Sequence, residues 1–129
     1  MPEVSVITAT ARSLFLKEQA MALEHQTFKD IEWIIADDLY EKNRETLESM
    51  ETTYPSIHFF PEDIPNYIAL SNAFNSALIR ARGEIIFFMN DYVVPHKECI
   101  ARHVEVQNKY GGVMLSGRTL AVDFPVDEL

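Results

Sequence analysis

The chain has 129 residues, 47% apolar and 24% charged, which fits one globular domain able to bury about two-thirds of the surface its unfolded form exposes. Twenty acidic residues against 11 lysines and arginines give a formal charge of −9, which argues against nucleic-acid binding through clustered positive charge. An anionic ligand would need a bound cation or a locally basic pocket, and the single cysteine, Cys99, leaves no disulfide framework or cysteine-rich metal site.

The first predicted element is a buried strand in "VSVITAT", Val4 to Thr10, where β-branched residues dominate. Ser13 then reads as the cap of a helix whose apolar face carries Leu16, Ala20 and Leu23. "IEWIIADD" predicts a second apolar strand over Ile31 to Ala36, closing in the acids Asp37 and Asp38. A mostly polar helix follows in "EKNRETLESMET", burying little beyond Leu47 and Met50, and then a short strand, "SIHFF", stopped by Pro61. In "IALSNAFNSALIRARG" the spacing of Leu70, Phe74, Ala77 and Ala81 marks a helical face, with Gly83 just past the end. "EIIFFMND" is the fourth strand. "PHKECIARHVEVQNKYGG" is a helix with Pro95 near its start and a glycine pair at its end. "VMLSGRTL" predicts a fifth strand, and "AVDFPVDEL" an acidic tail, about residues 121–129.

Strands and helices alternate, which implies a largely parallel sheet joined by crossover helices. Nothing at the N-terminus resembles a secretory leader, and the apolar runs fall short of the roughly 20 residues that span a bilayer. A cytoplasmic protein without a transmembrane segment is therefore expected. In open parallel sheets ligands bind beyond the carboxyl ends of the strands. Three strand ends here are polar: Thr8 to Arg12, Asp37–Asp38 and Asn90–Asp91. No glycine-rich phosphate loop follows the first strand, and no nucleophile elbow is present. Arg12 is a candidate phosphate contact, Arg80 and Arg82 are read as helix-end charges, and Trp33, Cys99 and His103 as packing residues.

"HQTFKDIEWIIADD", with "VSVITAT" before it and "NSALIRARGEIIFFMND" after it, resembles the nucleotide-binding half of family 2 glycosyltransferases of the GT-A type. Gln26, Thr27, Asp30, Glu32, Asp37 and Asp38 fall on one block of the family pattern; Asn75, Ala81, Gly83 and Glu84 fall on the next. The resemblance implies a three-layer α/β sandwich with a mostly parallel central sheet, one domain over 1–129, truncated to that half. It implies a nucleotide-diphosphate sugar, such as a UDP-sugar, as ligand. Thr8, Ala9 and Thr10 would lie at the base, Asp38 would accept from the base's ring N–H, and Arg12, Asn75, Asn90 and Asp91 would complete the nucleotide site. The family's acidic "D-x-D" holds a divalent cation, manganese or magnesium, and its nearest match is Asp91 in "NDY", where one carboxylate predicts weak binding. The second half of longer relatives carries the general base, and no catalytic residue is identified here. Glycosyl transfer is thus one expectation; a non-catalytic binding or assembly domain, or a fragment of a longer enzyme, is the other. Uncovered apolar surface on a shortened domain predicts a homo-oligomer.

Overall fold

A computed structural model of the chain describes residues 1–12, 15–61 and 69–120. Two strands form its centre: β1, Val4–Thr10, and β2, Ile31–Asp37. All 14 of their residues are buried. Helices cover both faces of these strands, which is why their sequences are apolar throughout instead of alternating. β1 and β2 run parallel in register from Val4 opposite Ile31 to Thr10 opposite Asp37. The shorter strands β3, Ser56–Phe59, and β4, Ile85–Phe88, pair in parallel with β2 and β1 respectively. The order is β3-β2-β1-β4, an all-parallel four-stranded sheet.

On one face lie α1, Leu16–Glu24, α2, Tyr40–Glu48, and α4, Cys99–Tyr110. Leu16, Ala20 and Leu23 of α1 and Ile100 and Val104 of α4 pack on Val4, Val6 and Trp33, with Leu47 and Met50 at the margin. The opposite face is covered by α3, Ala69–Arg80, whose Ala73 and Ala77 meet Ile7, Ala9, Ile34 and Ala36. The parallel sheet expected from the alternation and the three-layer α/β sandwich implied by the resemblance are therefore present, an arrangement consistent with a GT-A type fold.

Several local expectations change. Residues 113–120 form no strand. An apolar stretch becomes a strand only when a neighbour takes up its backbone groups. Here the Val113 carbonyl accepts instead from Gln107 Nε2, and Met114 is fully exposed. One residue of the predicted α3 face changes: Leu70 is exposed, while Phe74, Ala77 and Ala81 pack on the sheet together with Ala73, and Asn72 is buried. Gly83 is not a left-handed helix stop. It permits close approach, because a Cβ there would lie 2.6 Å from the Ser5 backbone nitrogen. α4 begins at Cys99, after Pro95. Its glycine end is as expected, with Gly111 at φ 63° and Gly112 at φ 60°. Ser13 and the tail over 121–129 lie outside the described residues. No described helix is long and apolar enough to cross a membrane.

At the amino ends of the strands sits a polar clamp. Glu32, buried in β2, accepts from Ser5 Oγ at 2.6 Å, from the Arg82 backbone N–H at 2.8 Å and from Arg82 Nε and Nη2 at 3.0 and 2.9 Å. Ser5 Oγ in turn accepts from the Gly83 N–H at 2.8 Å. Arg82 is thus the counter-ion of a buried carboxylate, not merely a solvated helix-end charge.

Candidate functional site

Chain order in the sheet reverses once. The path steps outward from β1 to β2 to β3, then returns on the opposite face through α3 to place β4 on the other side of β1. The strand order therefore reverses between β1 and β4, and open α/β sheets bind ligands in the crevice beyond the carboxyl ends of the strands near such a reversal. The residues at that crevice are Thr10 and Arg12 from β1 and Asn90 and Asp91 from β4, with Asp38 beside them at the end of β2.

Thr10 ties these ends together. Its carbonyl accepts from the Asp38 N–H at 2.9 Å, its hydroxyl donates to Asp91 Oδ2 at 2.9 Å, and the same oxygen accepts from the Arg12 N–H at 3.1 Å. Arg12 forks onto Asp91, with Nε to Oδ2 at 3.0 Å and Nη2 to Oδ1 at 2.5 Å. Its guanidinium also lies 5.9 Å from the centre of the Tyr92 ring. Partial burial pushes the Asp91 carboxyl up, but hydrogen bonds from Arg12 and Thr10 and the Arg12 charge outweigh it and hold it below the usual carboxylate range. The Arg12 side chain stays half-exposed while Asp91 is largely covered.

The loop after β4 is held from beneath. Gln19, fully buried in α1, donates through Nε2 to the carbonyls of Asn90 and Val93, each at 2.7 Å. Val93 N–H closes the turn on the Asn90 carbonyl at 3.1 Å. Gln26 does the same for the entry to α4, donating to the His96 carbonyl at 2.9 Å and accepting from the Ile100 N–H at 3.2 Å.

The two acids that end "IEWIIADD" have different fates. Asp37 is fully buried and accepts from Leu39 N–H, Asn43 Nδ2 and His58 Nε2, each at 2.8 Å. It is a structural carboxylate that joins β2, α2 and β3. Asp38 is exposed at the crevice. Thr8 is inside the sheet, its hydroxyl accepting from Trp33 Nε1 at 3.0 Å, and Ala9 faces α3. Thr10, Arg12, Asp38, Asn90 and Asp91 are therefore brought together, while Thr8 and Ala9 stand behind them. Asn75 is exposed on α3, whereas Asn72, one turn earlier, is buried. Gln19, Asn43 and Asn72 are polar residues that apolar periodicity does not single out. Only their helical spacing from apolar neighbours, such as Gln19 beside Ala20 and Leu23, hinted at burial.

The family model for glycosyl transferase family 2 matches residues 5–127, nearly the whole chain. The chain belongs to glycosyl transferase family 2. Comparison with individual curated proteins gives no match. Family 2 enzymes commonly use a divalent cation. The residues of this family 2 chain do not fit one as they stand. Among the described residues no three of His, Cys, Asp and Glu gather to hold a metal. Both oxygens of Asp91 are already engaged, and Asn90 offers an amide where a second charged oxygen would be needed.

Proposed function

We propose that the crevice at the ends of β1, β2 and β4 binds a nucleotide-diphosphate sugar, such as a UDP-sugar, and that the chain serves glycosyl transfer. The observation that carries this reading is the meeting of Asp38, Thr10, Arg12 and Asn90–Asp91 at the single reversal of strand order in a family 2 domain. Asp38 supplies an exposed carboxylate for the ring N–H of a base. Arg12 supplies the positive charge nearest the diphosphate. In transfer, an acceptor hydroxyl attacks the anomeric carbon and the nucleoside diphosphate leaves; residues that would take the hydroxyl proton are not assigned.

A hydrogen bond to a charged acceptor contributes about 1.5–3 kcal/mol. Asp38→Ala should therefore weaken uridine diphosphate binding at least several-fold in calorimetry. Equal affinities for both proteins would remove Asp38 from the base site. Failure of every nucleoside diphosphate and nucleotide sugar in a thermal-shift panel would reject the reading as a whole. Self-association belongs to the same proposal, supported by exposed Phe88 on β4 and by exposed Leu70, Leu78 and Ile79 on α3.

A further inference from the structure

Resting on the nucleotide-diphosphate reading above, we infer that Arg12 takes the place of a divalent cation at this site, so that the diphosphate is bound without metal. A diphosphate brought to a chain with a formal charge of −9 needs a local positive charge. Two kinds of group can provide it: a metal held by acidic side chains, or a fixed side-chain cation.

The chemistry of the crevice favours the second. A hard divalent cation is held by charged oxygens, usually several, at short distance. Here the turn after β4 reads Asn90-Asp91-Tyr92, with one carboxylate. Asn90 Nδ2 donates to the Tyr92 hydroxyl at 3.2 Å, and both Asp91 oxygens accept from Arg12, one of them also from Thr10. A cation entering at Asp91 would first have to break a two-point guanidinium–carboxylate fork, the strongest common geometry for that pair. It would also place its charge against that of Arg12.

The fork leaves Arg12 equipped for phosphate. It uses the Nε edge of the guanidinium, and the remaining N–H donors are not committed to that carboxylate. The side chain is half-exposed, the Asp91 oxygens hold its plane, and the Tyr92 ring lies 5.9 Å away. A guanidinium fixed in this way loses little freedom when it meets a phosphate, which is where arginine outperforms lysine. Asp91 on this view is a positioning residue. It orients Arg12 and does not ligate a metal.

The test is calorimetric titration of the chain with uridine diphosphate, once in EDTA and once in manganese chloride. Wild type should bind equally well in both. Arg12→Gln should lose about tenfold or more in EDTA, and Arg12→Lys should fall between. Asp91→Asn, which would abolish a metal site but keeps one oxygen to accept from Arg12, should weaken binding in EDTA less than Arg12→Gln does. Manganese electron paramagnetic resonance should show no bound ion on wild type, with or without the nucleotide. Binding by wild type only with manganese would overturn the inference and leave the nucleotide reading standing. So would unchanged binding by Arg12→Gln in EDTA, or binding by Asp91→Asn weaker than that by Arg12→Gln with thermal stability preserved. Absence of binding under either condition would reject the nucleotide reading itself, and this inference with it.

Discussion

Glu32 shows how one buried charge can be tolerated when every oxygen lone pair is occupied. Burial alone would push its carboxyl up, yet hydrogen bonds from Ser5, the Arg82 backbone and the Arg82 side chain, with the Arg82 charge, bring it below the ordinary range. A carboxyl depressed in the folded state binds protons more readily when unfolded. Its stabilisation is therefore complete above the unfolded value, about 4.3 for glutamate, and is lost as pH falls through the lower folded value. Glu32→Gln should be less stable than wild type at neutral pH by about 1–3 kcal/mol. That gap should close progressively as the pH drops below the unfolded value. Urea unfolding across a pH series measures it, and a gap that does not vary with pH would mean the carboxylate charge is not what matters. The partners are 50 residues apart in sequence, so no spacing rule reveals them. Arg12 and Asp91 are 79 apart. Each was legible by itself as a polar strand-end residue; their pairing was not, because it depends on β4 lying beside β1.

At the level of elements, the central strands were plain from sequence because burial on both faces demands unbroken β-branched and apolar runs. Helix faces were readable where large residues mark them, as with Leu16, Ala20 and Leu23. In α3 the predicted Phe74, Ala77 and Ala81 do meet the sheet and only Leu70 does not, because small residues there bring the helix close. The "VMLSGRTL" run was misread because hydrophobicity specifies a wish for burial and says nothing of a partner edge. The glutamines escaped for the opposite reason: their burial is justified only by carbonyls from distant loops. Gln19 is the instructive case, since one amide secures two carbonyls of the loop that presents Asp91. Gln19→Leu keeps the helix and much of the volume but leaves both carbonyls without that donor. It should cost about 1–3 kcal/mol per carbonyl left without a partner. The Val93 amide, bonded within this turn, should also exchange faster with solvent. Unchanged exchange at Val93 would show that the loop holds its own shape without α1.

Across the whole molecule, apolar covering is uneven. The face under α1, α2 and α4 is well filled, whereas α3 and β4 leave Leu70, Ile79 and Phe88 exposed. Among the described residues β4 pairs only with β1, and a groove of about 740 Å³ lies between it and residues 113–119, lined by Phe87, His103, Gln107 and Met114. Phe87 meets the His103 ring edge-on at 5.1 Å on its wall, and burial pushes that imidazole below its usual range. Unpaired strand edges and large apolar patches both favour association. Light scattering should therefore report a mass above that of one chain, rising with concentration. A constant single-chain mass at high concentration would reject self-association.

Trp33 gives the fold a consequence of another kind. It is the chain's single tryptophan, almost wholly buried, and its indole N–H is bonded to Thr8, two residues from the Thr10 that joins the three strand ends. The protein thus carries its own optical beacon inside the sheet, wired by one hydrogen bond to the strand that ends at the crevice. Its emission should move to the red as the sheet opens in urea. A nucleotide seated at the strand ends should alter its intensity without that shift, so that one unlabelled fluorescence titration reads occupancy and unfolding as separate signals.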